Sequence, residues 1–189
     1  MLLNDNMSGT VTGQELHIDA DTDDNGSSTF TIASSRELSS YNGVLSITAS
    51  DADISGTVSS GTAKTVLSVT NGHTVALGSS GSKQFTLTGA GLAKITSTGM
   101  NLGGDSSGSI YVNGITAANS NTISGTLSIA AGKDNSQVVF ESAPSTLNAL
   151  AVQADNGILV QVDVTADTGL LMLDGDLDNS SSTDSHNKV

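Results

Sequence analysis

The sequence holds no cysteine, no tryptophan and one proline, and it sets six lysine plus arginine residues against 19 aspartate plus glutamate. Without cysteine there is no disulfide scaffold, no thiolate metal centre and no cysteine nucleophile. So few bases leave no cationic footprint for nucleic acid or an anionic membrane. The formal net charge of −13 keeps the chain soluble by self-repulsion and favours binding of cations. Aromatic residues make up 3%, so a core must be thin and built from Val, Ile, Leu, Ala and Thr. No window approaches the ~18 apolar residues of a membrane helix, so no membrane insertion is expected. The opening MLLNDNMSGT lacks the basic and apolar regions of a signal peptide. If the chain is exported, it is therefore expected to be an internal piece of a longer precursor.

What is present is short alternation. Apolar residues make up only 36% of the 189 positions, and 21 are glycine. Asp outnumbers Glu sixteen to three, which suits turns and caps rather than helices. Between the turns lie segments such as FTI (30–32), LSI (45–47), LSV (67–69), FTL (85–87), IYV (110–112) and LSI (127–129). Each offers two or three apolar residues to one face. The stretch 143–152 reads as a turn followed by a strand. Strands so short, so many and so poor in large side chains predict an all-β chain. The predicted fold is a parallel β-solenoid of roughly 20-residue turns. Eight or nine such turns, about 4.8 Å apart, would give a rod of roughly 40 Å. A β-sandwich of short strands is the alternative fold.

Repeats support the solenoid reading. VLSITA (44–49) returns as TLSIAA (126–131), ALAVQA (149–154) and LLMLDG (170–175). ISGTV (54–58) returns as ISGTL (123–127). Residues 92–115, crowded with glycine, fit the period worst and are expected to bulge or carry a loop. A longer repeat is nested over these. TGQELHIDADTDD (12–24) aligns with TGLLMLDGDLDN (168–179) after one gap, matching Asp19, Asp21 and Asp23 to Asp174, Asp176 and Asp178. Residues 1–189 thus read as one segment of a tandem array. One copy spans 12–167, about 155 residues, and the next begins near 168.

The segments GVLSITASDADISGTV (43–58), NTISGTLSIAAG (121–132) and GILVQVDVTADTG (157–169) resemble the repeat regions of filamentous-haemagglutinin-type adhesins and other giant bacterial surface proteins. The resemblance covers most of the chain as texture. It implies a right-handed parallel β-helix and a fibre that acts in adhesion or as a surface stalk. That family's secretion domain carries Asn-Pro motifs. The only proline here is Pro144, in SAPS, so no secretion domain is expected and the export route stays open.

The acidic phrases are the candidate chemistry. In DTDDNG (21–26), Asp21, Asp23 and Asn25 occupy the first, third and fifth positions of an EF-hand-like calcium loop, with Gly26 sixth. The twelfth position, where a bidentate Glu belongs, is Ile32. In the second phrase Asp174, Asp176 and Asp178 take the odd positions, but Asn179 replaces glycine and the twelfth position is Ser185. With Asp19, these make seven candidate calcium ligands: Asp19, Asp21, Asp23, Asn25, Asp174, Asp176 and Asp178. The competing reading comes from period two. If Leu16, Ile18, Ala20 and Thr22 face inward, then Asp19, Asp21 and Asp23 are the wet side of a strand. Likewise Leu171, Leu173, Gly175 and Leu177 would point in, leaving Asp174, Asp176 and Asp178 outside.

No catalytic residue is assigned. His17, His73 and His186 show no metal spacing, and no G-x-S-x-G, Walker or dinucleotide motif occurs. Glycan-active β-helices gather carboxylates with bases and aromatics, yet Arg36 is the only arginine and Tyr41 and Tyr111 the only tyrosines. The sequence therefore predicts a non-enzymatic structural or adhesive segment of an extracellular or cell-surface bacterial fibre. Its partners would be neighbouring repeats, copies of itself end to end, or a host or neighbour-cell surface. The alternatives are a calcium-stabilised module binding a glycan or protein, and a β-helical glycan-active enzyme.

Overall fold

The computed structural model describes residues 1–179, 184–186 and 188–189. They form a nearly all-β chain in which every strand pairing is parallel. The longest sheet has seven strands. They are Leu16–Asp19, Leu45–Ala49, Lys64–Val69, Gly99–Gly104, Thr126–Ala131, Ala149–Ala154 and Leu171–Asp174, stacked in chain order.

After each of the first six strands of this long face the chain visits a second face. There Leu2–Leu3, Thr29–Ile32 and Asp51–Ile54 form one sheet. Phe85–Leu87, Val75–Gly78, Ile110–Asn113, Val138–Phe140 and Ile158–Val160 form another. The two sheets adjoin where the Asp51 carboxylate accepts the Thr86 N–H at 2.9 Å. A third face follows, built from Met7–Ser8, Glu37–Ser39, Thr57–Ser59 and Ile95–Thr96, with Ser145–Leu147 paired to Val164–Ala166 further along. The chain then returns to the long face, completing one circuit.

Alternation explains the faces. In Leu45–Ala49 the residues Leu45, Ile47 and Ala49 are buried while Ser46 and Thr48 are only partly so. Parallel register then stacks like on like. Ile18, Ile47, Leu67, Leu102, Ile129, Val152 and Leu173 make one inward column through all seven strands. On the second face Val75, Ile110, Val138 and Ile158 make another. All three phenylalanines, Phe30, Phe85 and Phe140, lie on this face and are fully buried. One continuous apolar cluster results, with each large side chain contributing ~1.5–3 kcal/mol on full burial.

The circuits are less regular than the sequence predicts. Successive pairings along the long face are separated by 29, 20, 35, 27, 23 and 21 residues. Seven strands give six steps, or roughly 29 Å at about 4.8 Å each, shorter than the predicted rod. The extra residues of the longest circuit lie before the glycine-crowded stretch. Val75–Gly78 and Phe85–Leu87 pair in parallel with only residues 79–84 between them, a short connection for such a pair. This loop is pinned by Asn113, whose carbonyl accepts the Ser79 N–H at 2.9 Å and whose amide donates to the Ser79 carbonyl at 3.0 Å. Lys83 stands 3.9 Å above the Tyr111 ring. The single-turn helix Gly89–Leu92 follows, capped by the Thr88 hydroxyl accepting from the Gly91 N–H at 3.0 Å. A second one, Ala117–Ser120, starts where Asn119 Oδ1 accepts the Thr116 N–H at 3.0 Å. The reading of 143–152 as turn then strand holds, with strands Ser145–Leu147 and Ala149–Ala154.

Close stacking leaves no room for a side chain at Gly103. Its φ is +88°, and a Cβ there would lie 2.2 Å from the Ala130 carbonyl oxygen. Gly103→Ala is therefore expected to lower stability by at least about 2 kcal/mol. Phe140→Ala should cost about 3–5 kcal/mol through the cavity it leaves. Chemical denaturation of the two variants checks both values; a loss under 1 kcal/mol at either position would contradict this packing.

Candidate metal site

Every circuit turns a corner between the long face and the second face. The connections there are residues 20–28, Ser50, 70–74, 105–109, 132–137, 155–157 and, after the last strand, residues 175–179. They lie one above another, and they carry most of the acidic phrases.

The first connection is the phrase DADTDDNG (19–26) in its folded form. Alternation ends with the strand at Asp19, and Asp21 turns inward rather than outward, being 3% exposed. The minimal corner at Ser50 leaves a gap that this longer loop covers. Ser28 N–H donates to Ser50 Oγ at 2.6 Å. Asp21 Oδ2 then reaches the third circuit, accepting the Thr70 hydroxyl at 2.6 Å as well as the loop's own Gly26 N–H at 3.2 Å. Asp24 accepts the Asn71 N–H at 3.0 Å, and His73 Nδ1 lies 3.1 Å from the Ser50 carbonyl oxygen. Asp19 accepts the Asp21 N–H at 3.0 Å, and Asn25 donates to Asp23 at 2.6 Å. Asp19, Asp21 and Asp23 are thus engaged by the loop and its neighbour. Their oxygens are not among the described acidic groups that converge within 4.8 Å.

The Thr70 hydroxyl is the main cause holding the Asp21 carboxyl below the usual carboxylate range. Burial opposes it, and Gly26 N–H, Ser28 and His73 assist. A lowered folded pKa contributes stability that is complete above the unfolded value of about 3.9 and is lost as pH falls through the folded one. Asp21→Asn should accordingly destabilise the protein by about 2 kcal/mol near neutral pH. The difference from the unaltered chain should shrink as pH drops below about 4. Urea unfolding at several pH values tests this; a difference independent of pH would refute the ionised role.

The second phrase behaves differently. The strand stops at Asp174, so Leu177 does not continue it, and residues 177–178 form a turn. Asp174 Oδ1 lies 3.3 Å from the Asp176 nitrogen and accepts its proton. Asp176 and Asp178 meet Asp184, each offering an oxygen within 4.8 Å of the others. Asp184 makes a second triad with Asp134 and Asp155 on the same criterion. These two acids belong to the fifth and sixth corners. Asp155 is 3% exposed and accepts the Asn135 N–H at 2.7 Å. Burial is the largest cause pushing its carboxyl above the usual range. The Asn135 N–H opposes that shift, and the negative charges of Asp184, Asp178 and Asp134 add to it. The tail is held nearby, with His186 N–H on Asn156 Oδ1 at 2.9 Å and Ile158 N–H on the Lys188 carbonyl at 2.7 Å.

Two triads that share Asp184 therefore bring the last three corners and the tail together, and their ligand atoms are all oxygen. Such a set suits a hard cation such as Ca²⁺ and offers nothing to a soft one. Of the seven sequence-predicted ligands, Asp176 and Asp178 take part. Asp134, Asp155 and Asp184 escaped sequence reasoning because each stands alone. A signal for two of them exists: Asp-Asn follows the long-face strand in the first, fifth, sixth and seventh circuits, as 24–25, 134–135, 155–156 and 178–179. Compared with known proteins, the chain matches no family model, no curated protein and no solved structure.

Proposed function

We propose that this chain is a structural and adhesive segment of an extracellular bacterial fibre, folded as a parallel β-solenoid and carrying no catalysis. The observation that supports this reading best is the long face: seven parallel strands in chain order, with one inward apolar column running through all of them. The repeated phrase of 44–49, 126–131, 149–154 and 170–175 falls on this face every time. Parallel pairing throughout the described residues also counts against a sandwich, whose closely connected strands pair antiparallel. The right-handed coil is what the adhesin resemblance implies.

The tandem-array reading draws support from the same face. Leu16–Asp19 is its first strand and Leu171–Asp174 its last, so the two acidic phrases follow equivalent positions. Leu170, Leu171 and Met172 are exposed at one end, and Met1, Leu2 and Val11 toward the other. Open strand edges with apolar side chains suit continuation by a neighbouring repeat or a second copy. An outer surface of Ser, Thr, Asn and Asp keeps such a rod in solution and available to a cell-surface partner.

Antibodies against this chain, applied to intact and to lysed cells of the source organism, test the location. The fibre reading expects labelling of intact cells along filaments. Labelling that appears only after lysis would overturn it.

A further inference from the structure

We propose that Asp134, Asp155, Asp176, Asp178 and Asp184 form a calcium site that fastens the C-terminal tail to the stacked corners of the last three circuits. Two triads share Asp184, and within each the carboxylate oxygens lie within 4.8 Å of one another. Oxygens bound to one Ca²⁺ at about 2.3–2.6 Å can be at most about 5 Å apart, so both triads meet the spacing an ion requires.

Burial gives an independent reason. Both oxygens of Asp184 and one of Asp176 are shut off from solvent and meet no hydrogen-bond donor. An anionic oxygen removed from water with no partner is costly, and the negative charges beside those of Asp184 and Asp176 add to the cost. Either the protons return or a cation sits among them. Lys133, beside Asp134 in sequence, does not reach them: its ammonium extends to Gly72, two circuits back toward the N-terminus. Calcium fits better than Mg²⁺, because ligands from three corners and a tail form an irregular set rather than a rigid octahedron.

The site also accounts for the acidic tail. Asp184 lies close before residues whose backbone holds the 155–158 corner, through His186 to Asn156 and Lys188 to Ile158. An ion bound by Asp184 would complete that attachment with a link stronger than a hydrogen bond. This inference rests on the geometry of one chain and does not depend on the fibre reading.

Calorimetric titration of the chelator-treated full chain with CaCl₂ tests it. Saturable binding is expected, with a rise in melting temperature and weaker binding of MgCl₂. Asp184→Asn, which breaks both triads, should weaken calcium binding at least about tenfold, and Asp155→Asn should also weaken it. Asp23→Asn, in the first acidic loop, should leave it unchanged. In the unaltered chain, calcium should shift the amide resonances of residues 134–136, 155–157, 176–178 and 184–186. This last readout needs no variant to fold. Absence of saturable binding at millimolar calcium, binding that survives Asp184→Asn, or shifts confined to residues 19–26 would each overturn the proposal.

Discussion

The structure depends on parallel register between successive strands of the long face. In parallel pairing each residue sits beside its equivalent one circuit away, so a position that is apolar once must be apolar in every circuit. The column from Ile18 to Leu173 obeys this through seven strands. A core with so few aromatics is workable because inward Val, Ile, Leu and Ala stack on their equivalents in the next circuit. The three buried phenylalanines stand on the second face, in strands of three or four residues.

Register also constrains the corners. If strands stack at about 4.8 Å, the loops between them must stack too, and side chains from different circuits come within bonding distance. Asp21 exploits this to hold Thr70, 49 residues away, across the one-residue corner at Ser50. Asn148 does the same elsewhere, its amide donating to the carbonyls of Ile123 at 3.2 Å and Ser124 at 2.9 Å. At the last three corners the stacked groups are carboxylates, and the same stacking that brings Asp21 Oδ2 to Thr70 crowds Asp155 against Asp134, Asp178 and Asp184. A calcium ion would convert that crowding from repulsion into a cross-link.

The long face was legible in the sequence because its strands run four to six residues, enough for two or three inward apolar positions. The third face was not, since strands such as Met7–Ser8 and Ile95–Thr96 have two residues and no period. The ISGT phrase misleads for a physical reason: at 54–58 it joins the second face to the third, and at 123–127 it leads from the third to the long face. Both bends need a glycine beneath a neighbouring carbonyl, Gly56 under Arg36 and Gly125 under Thr98. Period two placed Ile18 and Asp19 correctly but gave no warning that Asp21, beyond the strand, would turn inward. The triad of Asp134, Asp155 and Asp184 was hidden because its members are 21 to 50 residues apart in sequence.

Distances between spin labels on the outward column of the long face test the stacking most directly, and the absence of cysteine makes placing the labels simple. His17, Ser46, Val66, Asn101, Ser128, Ala151 and Met172 lie in register on successive strands. Cysteine pairs at 46 and 151 span four steps and should be roughly 19 Å apart, and pairs at 17 and 172 span six and should be roughly 29 Å apart, before allowance for the labels' linkers. Distances that rise in proportion to the number of circuits, whatever the sequence separation, are the predicted result. Distances that fail to rise with circuit number, or a 17–172 pair closer than the 46–151 pair, would contradict the stacked register.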